Sequence, residues 1–206
     1  AKAVADGDLE EQVLDEIVRR WLQLIDGASD ELVSLLDQVA LDLRLWLRAE
    51  CEAMDAALYI HPTAPFNAPH YETRGFFGAL GGFPHDVWLH TMGLILSGAF
   101  DRFPKLRVIL GHGGEALPFW LSRIDYFSRV RPNTPKGVAK LKRKPSEYMK
   151  ENIYVTTSGM AWSPVITFLQ SVLGVERVLY AMDYPYQYEP DEVIATDNVP
   201  ISKSDK

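Results

Sequence analysis

The sequence predicts an α/β domain organised around a parallel sheet, and three observations carry that prediction. From residue 56 onward, short apolar runs alternate with helical periods, the pattern of βαβ units joined by short links. The run Arg107-Val108-Ile109-Leu110 is nearly all apolar, as a strand covered on both faces must be, and it closes in Gly111-His112-Gly113-Gly114-Glu115. Two other runs also end in a polar side chain. Leu58-Tyr59-Ile60 leads into His61-Pro62, and Val178-Leu179-Tyr180-Ala181-Met182 leads into Asp183-Tyr184-Pro185. Ligands of α/β sheets bind at the carboxyl ends of the strands, so His61, His112 and Asp183 are the candidate site.

Residues 9 to 55 read as helix throughout. Leu14, Ile17, Val18, Trp21, Leu22 and Ile25 recur at three- and four-residue steps until Asp26-Gly27. Asp30 then caps a second helix carried by Leu32, Leu35, Leu36, Val39, Leu43, Trp46 and Leu47. The first strand is Ala56 to His61. Residues 62 to 84 are rich in Pro, Gly and aromatics, and a connection of that length suits a binding loop or lid. A helix is expected over Asp86–Phe103, a strand from Arg107, and a helix over Glu115–Val130. The brief basic loop that follows, through Lys144, reads as solvated. Ser146–Glu151 is a short helix and Ile153–Ser158 a β-branched strand. Ser163 caps the next helix, with Pro164 at its first position and Gly174 closing it. A strand over 178–182 completes the pattern, and from Glu189 the tail is polar, fraying at its end.

The chain therefore reads as one domain over residues 1–206: a helical part (1–55), β/α units that carry the site (56–198) and a tail (199–206). Four strands can be counted. A closed (β/α)₈ barrel takes about 250 residues, and eight strands are not found here.

Composition narrows the function classes. An apolar fraction of 47% and a charged fraction of 24% are ordinary for a soluble globular protein. A formal charge of −7 argues against nucleic acid, because no basic stripe can neutralise phosphates. Cys51 is the lone cysteine and makes no internal disulfide. No apolar run reaches the ~18 residues of a membrane span, and no signal-peptide pattern opens the chain. A cytoplasmic protein is expected, with neither membrane nor nucleic acid as partner.

Each candidate residue admits two readings. His61 offers an imidazole nitrogen to a metal, or is a buried histidine bonded to a carbonyl. His112 is the stronger candidate, because its flanking glycines clear room for backbone and ligand. Glu115 either fixes the His112 tautomer or is a first-turn acid favoured by the helix dipole. Asp183 belongs to a site or caps a turn. Trp162, Tyr184, Tyr186 and Tyr188 either stack on a planar ligand or serve as core or lid. Ser158 and Cys51 lack the elbow or local signature of an activated nucleophile, and Gly78–Gly82 lacks the Lys-Ser/Thr of a phosphate loop.

Five motifs together carry a resemblance. Tyr59-Ile60-His61-Pro62, residues 100–106 (FDRFPKL), residues 111–118 (GHGGEALP), Thr157-Ser158-Gly159 and residues 182–188 (MDYPYQY) fall in the order found in one family. Over roughly residues 57–198 the chain resembles the metal-dependent aromatic-acid decarboxylases of the amidohydrolase superfamily. The last run and residues 159–162 (GMAW) are most similar to the 5-carboxyvanillate decarboxylases. The other motifs are shared with relatives that act on γ-resorcylate and 2,3-dihydroxybenzoate.

The resemblance implies a (β/α)₈ TIM-barrel-like amidohydrolase fold, incomplete here, with the strands of the second half clearly present. It implies that His61 and Asp183 bind one divalent metal, Mn²⁺ or Zn²⁺, and that no organic cofactor is used. His112, paired with Glu115, would be the acid–base histidine, and Tyr186 would face the substrate. First-strand metal ligands of the family have one counterpart, Glu10 of Glu10-Glu11, in a stretch that reads as helix. Relatives carry arginine or glycine where this chain has Gly93, which leaves the substrate open.

The implied activity is decarboxylation of a hydroxylated aromatic acid like 5-carboxyvanillate. The alternatives are hydrolysis of a lactone or ester on the same scaffold, and a truncated, catalytically incomplete member. A half barrel leaves two sheet edges unpaired. Either segments are missing, which is the preferred reading, or a partner chain covers the edges, or the chain is a remnant. A homo-oligomer is expected.

Overall fold

The computed structural model describes residues 44–62, 68–76, 78–130, 140–187 and 189–206. The chain divides into two units, Ala1–Glu50 and Cys51–Lys206. Residues 44–53 are helical; the rest of the expected N-terminal helices lies outside the described residues. The site belongs to the second unit.

That unit is α/β. Its strands are β1 (Ala57–Ile60), β2 (Arg107–Leu110), β3 (Ile153–Thr156) and β4 (Val178–Leu179). They form one parallel sheet in the order β1-β2-β3-β4. The longer helices are α1 (Ala68–Glu72), α2 (Gly82–Leu96), α3 (Ala99–Arg102), α4 (Leu117–Val130), α5 (Pro145–Asn152), α6 (Ser163–Leu173) and α7 (Glu192–Asp197). Each pair of neighbouring strands is thus joined through helix, as parallel pairing requires.

Pairing register explains the two faces of the sheet. Leu58, Val108 and Ile153 lie in one row, and Tyr59, Ile109 and Tyr154 in the next. Val108, Leu110, Ile153 and Val155 are fully buried in a core shared with Ile95, Phe100, Leu117, Met149 and Leu169. Burying one such side chain contributes about 1.5–3 kcal/mol. The other row is less covered: Ile109 and Tyr154 are half-buried, and Tyr59 is 44% exposed. The four strands among the described residues are half the complement of an eight-stranded barrel, and Tyr59 and Ile109 stand on the face that a closed barrel fills with side chains.

Several expectations are corrected. The helix expected over Asp86–Phe103 begins at Gly82 and breaks in two, because Gly98 adopts a left-handed conformation (φ 74°) between α2 and α3. Ser163 does not cap α6; it is the first helical residue, and Trp162 stands at the cap position with no side-chain bond. The last strand stops at Leu179 rather than Met182. Beyond it the side chain of Thr157 takes over the pairing, donating to the Ala181 carbonyl and accepting from the Ala181 amide, both at 3.1 Å. The polar tail is also tied down. It forms α7, buries Val199, and is held by Gln170, whose Nε2 donates to the Asp205 carbonyl at 3.3 Å. Among the described residues no helix is long and apolar enough to cross a membrane.

Candidate active site

The site forms where β1, β2 and β4 end, around an unusual run of backbone. Residues His112, Gly113, Gly114, Glu115 and Ala116 all have positive φ, between 49° and 74°. Non-glycine residues pay about 1–3 kcal/mol each to sit there, so the surrounding structure must impose the path. At Gly114 a Cβ would lie 2.8 Å from Val155 Cγ1, which bars any other residue. The Gly114 amide donates to the Gly111 carbonyl at 2.7 Å and closes the turn. The His112 amide donates to Ser158 Oγ at 3.2 Å, and Ser158 Oγ pairs with Thr156 Oγ1 at 2.8 Å inside the core.

This turn aims the His112 ring between two carboxylates. Nδ1 lies 2.7 Å from Glu115 Oε1, and Nε2 lies 3.6 Å from Asp183 Oδ1. The Glu115 side chain is only 4% exposed, so its hydrogen bond to the ring is shielded from water. That bond is the main reason the His112 pKa is raised; burial opposes it, and the charges of Glu115 and Asp183 add to the rise. With Nδ1 engaged by Glu115, Nε2 is the nitrogen presented to a ligand.

Asp183 is presented by a tight turn. Its carbonyl accepts from the amides of Tyr186 and Gln187, each at 2.8 Å, and Asp183 and Gln187 pair as an antiparallel bridge. The Tyr184–Pro185 peptide inside the turn is cis. His61 follows β1 directly, and its ring centroid lies 6.4 Å from that of His112, tilted by 55°.

His61, His112, Glu115, Asp183 and Tyr186, five of the six residues to which the resemblance gives a site role, line one cavity of about 650 Å³. Pro62, Ala79, Phe83, Pro84, Ala116, Gly159, Met160 and Gln187 complete its wall. Largely apolar walls with a few convergent polar groups, at this volume, suit a small organic ligand. Ala79 comes from the long connection after β1, and Phe83 and Pro84 from the first turn of α2 that ends it. Tyr186 stands at the rim, 87% exposed. Trp162 and Tyr184 are exposed and Gly93 is exposed on α2; none is part of the wall. Glu10 and Tyr188 lie outside the described residues.

An imidazole and a carboxylate facing one cavity are donors that suit Mn²⁺ or Zn²⁺. Among the described residues no group of three or more His, Cys, Asp or Glu side chains is arranged around a metal position. A protein site for such an ion ordinarily draws on three or four donors.

Sequence reasoning missed Gln187 and Glu192, and weighed Ser158 only as a nucleophile. Gln187 Nε2 donates to the Gly159 carbonyl at 2.9 Å, linking the Asp183 turn to the turn after β3. Its four-residue spacing from Asp183 was the available signal. Glu192 is buried with Oε1 unpartnered, and its pKa is raised by burial first, then by the charges of Asp183 and Glu189.

The chain is similar to several known proteins. The family model described as amidohydrolase matches residues 3–203. A γ-resorcylate decarboxylase of Polaromonas sp. strain JS666 is 34% identical over 158 residues, covering 75% of this chain and 48% of that protein. A crystal structure of 5-carboxyvanillate decarboxylase from Novosphingobium aromaticivorans, complexed with manganese and 4-hydroxy-3-methoxy-5-nitrobenzoic acid, superposes with TM-score 0.72 at 42% identity, covering 75% of this chain and 45% of that one. A dihydroxybenzoic acid decarboxylase from Polaromonas sp. JS666, with bound manganese and the inhibitor 2-nitroresorcinol, gives TM-score 0.67 at 33% identity, with 75% and 47% covered. The chain spans about half the length of these relatives.

Proposed function

The chain belongs to the amidohydrolase family, and from that premise we propose that it is a metal-dependent carboxy-lyase acting on a hydroxylated aromatic acid such as 5-carboxyvanillate. The observation that carries this reading is the position of His112, braced by Glu115 at Nδ1 and facing Asp183 at Nε2, beside His61 in one cavity.

His61 and Asp183 would hold one divalent metal, Mn²⁺ or Zn²⁺, with Glu10 as a further donor. The metal would supply positive charge that anchors the anionic substrate and polarises its oxygens. The residues of the chain do the remainder. The apolar wall, including Phe83 and Met160, packs against the ring and excludes water, while Tyr186 faces the substrate from the rim. His112 holds a proton at Nε2, and its hydrogen bond to Glu115, with the nearby charges, raises its pKa against the effect of burial. His112 or Asp183 delivers the proton to the ring carbon that bears the carboxylate. The bond from that carbon to the carboxyl carbon then breaks, its electron pair returns to the ring, and CO₂ leaves. No organic cofactor is needed, because the protonated ring is itself the electron sink.

We further place the protein in the cytoplasm as a homo-oligomer; a single cysteine, with no internal disulfide to protect, suits that compartment. The test is CO₂ release from a panel of hydroxybenzoates, including 5-carboxyvanillate and γ-resorcylate, by protein reconstituted with Mn²⁺ or Zn²⁺. Release from at least one is expected. Folded, metal-loaded protein that releases none overturns the reading, and an acid product formed from a lactone without CO₂ would assign hydrolysis instead.

A further inference from the structure

The left-handed backbone at His112 is held by a pair of hydroxyls that no step of the reaction uses. Thr156 and Ser158 are 3% and 4% exposed, and both lie at the end of β3, the strand that contributes no polar tip to the cavity. Ser158 Oγ accepts the His112 amide at 3.2 Å and shares a hydrogen bond with Thr156 Oγ1, 2.8 Å away, in which either hydroxyl can donate. Ser158 Oγ also lies close to the residue before His112: a Cβ on Gly111 would stand 3.5 Å from it and 3.3 Å from the Tyr59 hydroxyl. His112 has φ 49° and heads the five-residue left-handed run, a conformation that persists only when neighbours impose it. Without an acceptor that amide would be an unsatisfied donor in a part-buried position.

We propose that Ser158, aligned by Thr156, is a positioning residue for His112: the hydroxyl pair fixes the backbone that keeps Nε2 aimed into the cavity. Sequence reasoning set Ser158 aside because it lacks the signature of a nucleophile, and the structure gives it this different work. The proposal deepens the carboxy-lyase reading and rests on it for its kinetic consequences, but the geometry of the ring can be read independently.

The experiment uses Ser158→Ala, Thr156→Val and Thr156→Ser in the full chain, with two readouts. One is kcat and KM for CO₂ release. The other is the ¹⁵N NMR signal of the His112 ring, assigned with His112→Asn, which reports the tautomer and the Nδ1–H bond to Glu115. Ser158→Ala and Thr156→Val should lower kcat by about ten- to a hundredfold, as misplacement of a reacting group does, with KM within about twofold. In both, the His112 signal should shift or split. Thr156→Ser keeps the hydroxyl and should retain both the parental rate and the parental signal. A folded Ser158→Ala protein with unchanged kcat and an unchanged His112 signal overturns the proposal. So does Thr156→Ser behaving like Thr156→Val, since that would make the methyl packing, not the hydroxyl, responsible. If the parent releases no CO₂ from any acid, the functional reading fails, and the ring signal alone decides the positioning role.

Discussion

Glu115 Oε1 lies 2.7 Å from Nδ1 of His112, three residues back across a left-handed turn. In a regular helix start, residues three apart stack along one face. Here the turn folds the carboxylate back onto the ring of the residue that opens it. The pair is therefore a built unit, in which the buried acid sets the tautomer and the ring offers Nε2 to the cavity.

From that relationship, Glu115→Gln should leave the fold intact and lower activity. The amide still accepts from Nδ1–H but carries no charge, so the His112 pKa falls back towards its ordinary value. A loss of about 10- to 100-fold in kcat/KM is expected, the range found when a partner that orients a histidine is removed. Unchanged CO₂ release in the substituted protein would make Glu115 no more than a first-turn acid.

Metal retention should separate the residues that face the cavity. His61→Ala and Asp183→Asn each remove a proposed donor, and purified protein should carry substantially less Mn²⁺ or Zn²⁺ by elemental analysis. His112→Asn should keep the metal while losing turnover, if His112 has the acid–base role proposed for it. If all three substitutions keep the metal, the assignment of His61 and Asp183 as ligands is wrong.

Gly159 tests the junction between two turns. Its φ is 63°, and a Cβ there would lie 2.8 Å from Gln187 Oε1. Gly159→Ala should cost about 1–2 kcal/mol from the left-handed backbone alone. The clash should also push Gln187 away from its bond to the Gly159 carbonyl and disturb the Asp183 turn. A Tm lower by several degrees and a raised KM are expected. Wild-type Tm with wild-type KM would mean that Gln187 moves aside freely.

What was legible in the sequence follows from where the information is local. β2 was readable because its apolar run and the glycines behind it are contiguous, and His61, His112 and Asp183 were found because each ends such a run. The break at Gly98 was not, since Leu94, Ile95 and Phe100 keep an apolar pattern across it and only the backbone turns. The early end of β4 was hidden for a different reason: Thr157, more than twenty residues away in sequence, supplies the groups that replace the ladder at Ala181. The tail reads as polar from its composition, and the burial of Val199 within it is not visible there. Ser158 was visible as a residue but not as a support for His112, because its partner stands 46 positions away.

The base of the fold provides a pH test that is separate from the active site. Asp101, on α3, accepts from the Tyr148 hydroxyl at 2.6 Å and from the Lys142 amide at 3.0 Å. Burial pushes its carboxyl up, but these hydrogen bonds and the charges of Lys142 and Arg143 outweigh it, so its pKa is lowered. A carboxylate with a depressed folded pKa binds fewer protons in the folded state than in the unfolded chain. Its contribution is therefore complete above the unfolded value of about 4 and is lost as pH falls through the lower folded value. Asp101→Asn removes the charge and turns an amide donor towards the Lys142 N–H or the Tyr148 hydroxyl. Near pH 7 its Tm should fall by roughly 2–4 °C for each kcal/mol lost. As pH is lowered towards about 3, the parent should lose stability faster than the variant and the two melting curves should converge. A gap that stays constant from pH 7 to pH 3 would show that the Asp101 charge does not hold α3 to α5.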